Sequence, residues 1–163
     1  MGAWHRVLLG SAVLLLAGCT APAGQSVTST SAPAGCGPRI ETGPLPDWAD
    51  AGFHGDTRAP HVFGAKGDIV AVLFGNPLTH GRKDGANNKI LWVSRPAATS
   101  PDPASPAALA ITATLDGTQT RVTREVAGGP GPSIIDMPQA GCWHLDLRWS
   151  GRTDTMDLVY AAG

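Results

Sequence analysis

The residue best placed to undergo chemistry is Cys19, which closes the run Leu16-Ala17-Gly18-Cys19 behind His5, Arg6 and an apolar stretch from Val7 to Leu16. An apolar core of about ten residues suits a signal segment and is too short for a bilayer that needs roughly twenty. The Leu-Ala-Gly-Cys order reads as a lipobox, at which the thiol becomes a diacylglyceryl thioether and the chain is cut before Cys19. Each buried methylene adds about 0.8 kcal/mol, so two or three acyl chains hold a protein where one would not. The expectation is a signal peptide over 1–18 and a lipid on Cys19 that fixes the mature chain to the extracytoplasmic face of the cell membrane. An ordinary secreted protein with a chance cysteine, or an uncleaved signal anchor, is the competing reading.

Cys36 and Cys142 then remain, and an even pair in an exported chain predicts a disulfide. Closing a loop of about a hundred residues would stabilise the fold by roughly 4–5 kcal/mol on the chain-entropy account. Two buried free thiols are the alternative. There is no Cys-x-x-Cys, so thioredoxin-like chemistry has no support.

The other reactive side chains are scattered. His54, His61, His80 and His144, with Asp56, show no His-x-His or His-x-x-x-His spacing, so no metal is expected. Ser133 follows a Gly-Pro turn but lacks the Gly-x-Ser-x-Gly elbow of a nucleophilic serine. Gly128 to Ser133 lacks the Lys-[Ser/Thr] ending of a phosphate loop and reads as a structural turn. Asp146, Asp154 and Asp157 read as a charged outer face that keeps a sheet soluble. No catalytic constellation results, and the chain reads as a non-enzyme without a cofactor. The strongest candidate is the polar run from Gly75 to Asn88, where Asn76, His80, Arg82, Lys83 and Asp84 could read a polar or anionic partner. A solvated connection is the plainer alternative.

These residues need a scaffold, and its pattern is that of short strands. The apolar run Ile69 to Phe74, the segment Lys89 to Arg95, alternation over Leu109 to Leu115, weaker alternation over Thr120 to Val126, and Ser133 to Asp136 are separated by Gly, Pro, Asn and Asp clusters. Cys142 to Trp149 and Thr153 to Tyr160 follow, with edge pieces at Arg39 to Thr42 and His61 to Gly64. Seven to nine such strands predict an all-β, immunoglobulin-like antiparallel sandwich over 36–163. Trp143, Leu145, Leu147 and Trp149 share one face, as do Met156, Leu158 and Tyr160. A two-residue turn at Ser150-Gly151 would set His144 opposite Asp157, whereas a four-residue loop would set Arg148 opposite Thr155. Leu45 to Phe53 reads as one helical turn that presents Trp48 and Phe53 as plugs for an end of the sandwich. The stretch Pro96 to Pro106 reads as a surface connection.

Between anchor and domain, the segment 19–35 is dominated by Ala, Pro, Gly, Ser and Thr and carries no charge. It cannot bury enough apolar area to fold, and reads as a flexible linker. Fifteen such residues would span about 20 Å. Losing Arg6 with the signal leaves 11 of the 12 Lys+Arg against 13 Asp+Glu, a net charge of −2. That mild acidity argues against nucleic-acid binding and offers no basic patch for anionic lipid.

Ala65 to Gly75, Asn88 to Val93, Gly131-Pro132-Ser133, the alternating Gly141 to Trp149 and Thr153-Asp154-Thr155 resemble a group of uncharacterised actinobacterial lipoproteins. The resemblance spans nearly all of the ordered chain. It implies an immunoglobulin-like sandwich outside the cytoplasmic membrane and transfers no activity or site residues. Unlike in immunoglobulin domains proper, Cys36 precedes the first long strand, so the usual bridge between central strands is missing, while Trp92 could fill the core position such domains give to Trp. The expected function is a membrane-anchored binding or accessory domain that contacts an envelope protein or component. A small-ligand or metal-binding lipoprotein serving a transporter or sensor is the alternative.

Overall fold

A computed structural model of the chain describes residues 37, 39–50, 53–98 and 107–163. The signal segment 1–18, Cys19, the linker, Cys36 and most of the Pro96 to Pro106 connection lie outside them. The described chain is all-β, with strands β1 (His61–Phe63), β2 (Ile69–Leu73), β3 (Thr79–His80), β4 (Lys89–Ser94), β5 (Leu109–Leu115), β6 (Arg121–Val126), β7 (Pro132–Ile134), β8 (Gly141–Trp149) and β9 (Arg152–Ala162). They form a four-stranded sheet, β1-β2-β4-β7, and a five-stranded sheet, β3-β9-β8-β5-β6. One pairing departs from the antiparallel expectation: β3 runs parallel to the end of β9. The edge piece at Arg39 to Thr42 reduces to a single bridge between Glu41 and His61.

The two sheets share one core, as in a β-sandwich. Ile69, Ala71, Leu73, Ile90 and Trp92 of the first sheet meet Ile111, Trp143, Leu145, Leu147, Leu158 and Tyr160 of the second, all buried. Alternation explains the choice, since every second side chain of a strand faces the same way. Strand β2 is apolar on both faces because both are covered. Its outward Val70 and Val72 are 0% exposed under Leu45 and Ala49, with Trp48, Phe53, Phe63, Leu91 and Val93 packed around them. Trp48 and Phe53 therefore plug no end of the sandwich: the turn that carries them lies over the outer face of the first sheet, where β2 needs cover. That turn is single, with the Ala49 and Asp50 amides both donating to Pro46 O at 2.7 and 3.2 Å.

The β8–β9 hairpin adopts the two-residue turn, pairing Trp149 with Arg152 and His144 with Asp157. Ser150 (φ 43°) and Gly151 (φ 73°) are both left-handed, which matches a type I′ turn to the twist of the strands. His144 Nδ1 and Asp157 Oδ1 lie 2.7 Å apart on the outer face.

Asp154 corrects the reading of the hairpin carboxylates as a solvated outer face. It is 1% exposed, because it shares the inward face of β9 with Met156, Leu158 and Tyr160. Its carboxylate accepts the amide hydrogens of Lys66 (2.9 Å), Asp68 (3.1 Å) and Thr155 (2.8 Å). The β1–β2 turn of one sheet is thereby clasped to the start of β9 in the other. Lys66 Nζ donates to Thr153 O at 2.8 Å, and Arg152 pairs with Asp68 at 2.8 Å while also donating to Arg95 O. Gly64 is required at this clasp, since a Cβ there would stand 2.2 Å from Asp154 Oδ2.

The sheet edges are short or charged. Strand β7 has three residues and starts with Pro132, β3 has two, and β6 exposes Arg121 and Glu125.

Asp154→Ala leaves three amide donors without their acceptor, and a loss of about 3 kcal/mol is expected from the strength of hydrogen bonds to a charged group. Gly64→Ala is destabilising in the natural protein and much less so beside Asp154→Ala, which vacates the space. Urea unfolding of the two single variants and the double variant reads the coupling, which should exceed about 1 kcal/mol; strict additivity would refute the clasp.

Candidate functional site

The polar run Gly75 to Asn88 is ordered by three anchors. Strand β3, unforeseen in the sequence, pairs Thr79 and His80 with Ala161 and Ala162. Buried Asn88 closes the loop: its Oδ1 accepts the Thr79 amide at 2.9 Å and its Nδ2 donates to Thr79 O at 2.9 Å and to Asp136 Oδ1 at 2.7 Å. The third anchor is the segment after β7, where the Ile135 amide donates to Asn88 O at 3.1 Å and Ile135 O accepts the buried Tyr160 hydroxyl at 2.7 Å. Burial pushes the Tyr160 hydroxyl pKa far up, and the charge of Asp136 adds to the shift. Tyr160 is therefore a fixed neutral donor, and Asp136 is held close to it.

Thr79, His80, Gly81, Arg82, Ala86, Asn87, Asp136 and Met137 line a hollow of about 370 Å³, within the size range of small-molecule sites. His80 Nδ1 lies 2.9 Å from Met137 O. A carbonyl only accepts, so Nδ1 carries the hydrogen and neutral His80 keeps Nε2 as an acceptor. Arg82 is tied within its own loop: Nε and Nη2 donate to Asp84 at 3.1 and 2.9 Å, and Nη1 to Pro77 O at 3.1 Å. Three of the five guanidinium hydrogens are thus used, and one remains on each terminal nitrogen.

The loop candidates consequently fall into two groups. His80 and Arg82 reach the hollow, whereas Asp84 serves as the partner of Arg82 and also accepts the Ala86 amide at 3.1 Å. Lys83 and Asn76 are exposed and stand outside the hollow's lining. Asn87, Asn88 and Asp136 were not singled out from the sequence. Asp136 lies 48 residues from Asn88, and no local pattern announces a contact that exists only once β4 and β7 have paired.

Ser133 and His61 have structural partners. Ser133 Oγ accepts the Trp92 indole hydrogen at 3.0 Å, and His61 Nδ1 lies 2.8 Å from Ala59 O. Trp92 is buried in the core at 1% exposure. Cys142 is 4% exposed on the outer face of β8 and is engaged by a partner outside the described residues. Among the described residues, no three His, Cys, Asp or Glu side chains converge as metal ligands.

Comparison of the chain with family models, curated proteins and solved structures returns no match.

The Arg82 hydrogen bond, and then the Ala86 amide, lower the Asp84 carboxyl from its ordinary 3.8 to about 2. Because the folded value lies below the ordinary one, ionised Asp84 supports the loop fully above the ordinary carboxylate range, and this support is lost as pH falls through the folded value. At 58% side-chain exposure the effect is local. A side-chain NMR titration should place Asp84 near 2, and Arg82→Ala should return it toward 3.8; an ordinary titration in the unaltered chain would show that the pair does not form in solution.

Proposed function

We propose that this chain is a lipid-anchored, non-catalytic binding domain on the extracytoplasmic face of the cell membrane, built as an immunoglobulin-like sandwich and contacting its ligand at the hollow beside β3. The observation that carries the binding role is the convergence of His80, Arg82, Asn87 and Asp136 on one hollow, held by partly buried and exposed hydrogen bonds at the end of the longest strand. Location rests on Leu16-Ala17-Gly18-Cys19 and the uncharged linker behind it. The immunoglobulin-like assignment is supported by two facing sheets of short strands and by Trp92 at their centre.

A disulfide between Cys36 and Cys142 belongs to the same proposal. Gly37 and His144 line one hollow near the edge of β9. Cys36 precedes Gly37, and Cys142 lies two residues before His144. Such a bond would tie the end of the linker to the central strand of the larger sheet.

A second reading is favoured by the hollow itself. A convergent site containing His and Asp, of small-molecule size, suits a lipoprotein that hands a small ligand to a transporter or sensor. The two readings differ in what occupies the hollow, a macromolecular envelope component or a free small molecule.

The anchor is tested by fractionation: Cys19→Ser should leave the membrane fraction once its signal is cleaved, and full retention of the cleaved form would refute lipidation. The binding role is tested with a photo-cross-linking residue at Asn87 in intact cells, compared with one at Glu125 on the far edge. A defined adduct from position 87 alone is expected, and equal labelling from both positions would overturn the loop as contact. Peptide mapping without reductant should recover a linked Cys36–Cys142 peptide, and reductant should lower stability by about 2–5 kcal/mol.

A further inference from the structure

We propose that the hollow beside β3 takes a neutral, hydroxyl-rich ligand of about one sugar ring; the inference rests on the reading of that hollow as the binding site. The argument is an inventory of unused hydrogen-bonding capacity. His80 gives its Nδ1 hydrogen to Met137 O and keeps Nε2 as an acceptor. Asp136 gives Oδ1 to the Asn88 amide, and its second oxygen has further acceptor capacity. Arg82 keeps one hydrogen on each terminal nitrogen after its bonds to Asp84 and Pro77, and the Asn87 amide can both donate and accept.

Acceptors and donors therefore share one hollow, contributed by β3, its loop and the segment after β7. A hydroxyl group both donates and accepts, so a ring bearing adjacent hydroxyls can satisfy His80 and Asp136 with its hydrogens and Arg82 and Asn87 with its lone pairs. An anion could use only the Arg82 and Asn87 side, and would face Asp136. A cation could use only the acceptors, and would face Arg82. The charges around the hollow cancel, Arg82 against Asp84 and Asp136 beside Arg124, whose guanidinium donates to Asp136 O at 2.9 Å, which disfavours either ion. The lining holds no Phe, Tyr or Trp side chain, so recognition rests on polar groups, and removing one acceptor should cost a large part of the affinity.

The test is a chemical-shift titration of the full lipidated chain in detergent micelles. Glucose, mannose and N-acetylglucosamine serve as neutral probes, inorganic phosphate as the anion and putrescine as the cation. The expected result is that at least one sugar shifts the signals of Thr79 to Asn88 and Asp136, and the two ions do not. His80→Asn retains an amide able to donate to Met137 O, and Asp136→Asn retains an oxygen for Asn88. Each variant should keep the dispersed spectrum and weaken sugar binding about fivefold, the loss expected for one partly exposed hydrogen bond. Shifts at the hollow from phosphate or putrescine alone would overturn the ligand class and leave the binding site standing. No shift from any probe, together with no site-specific adduct from position 87, would overturn both.

Discussion

The domain depends on one buried carboxylate. Strand β9 turns alternate residues inward, and the first of them is charged: Asp154 faces the interior where Met156, Leu158 and Tyr160 face the core. A carboxyl side chain is accommodated there because three backbone amides, two from the β1–β2 turn and one from β9, point at it, which meets the general requirement that a buried polar group be hydrogen-bonded. Apolar packing holds the sheets together without fixing their offset, since one Leu or Val contact can replace another. Hydrogen bonds of fixed length to Lys66 and Asp68 set the β1–β2 turn against β9 at a single position.

The same strand carries the hollow at its far end. Tyr160 reaches Ile135, Ala161 pairs with Thr79, and the Ala161 amide donates to Leu78 O at 2.8 Å. The clasp at Asp154 and the hollow at His80 thus lie at opposite ends of one eleven-residue strand. Arg82 and Asp84 neutralise each other, so two charges that look available in the sequence are largely spent on holding the loop's own shape.

Strand positions were legible because alternation is a local property. Leu109 to Leu115 and Cys142 to Trp149 declare their inward faces, and the Ser150-Gly151 turn left two registers open, of which the structure adopts the shorter. Asp154 was equally legible by parity, since it lies two residues before Met156, but a carboxylate is discounted as a core residue until its amide partners are known. Trp48 and Phe53 were recognisable as apolar caps, yet their target was not, because only the assembled sheet reveals that Val70 and Val72 need covering. Half of the candidate site was visible: His80 and Arg82 belong to a polar run between strands, whereas Asp136 joins them through pairings of distant segments, for which a single sequence carries no signal.

The short and charged edges of the two sheets acquire a meaning in the setting proposed for this protein. Molecules tethered to one surface meet their neighbours far more often than the same number free in solution, and in a restricted range of orientations. Under that crowding, an open strand edge would invite copies to zip together into ribbons. The proline at the head of β7, the two-residue β3 and the arginines of β6 leave little continuous backbone for a neighbour to pair with, so a dense layer of such domains can remain a population of separate molecules.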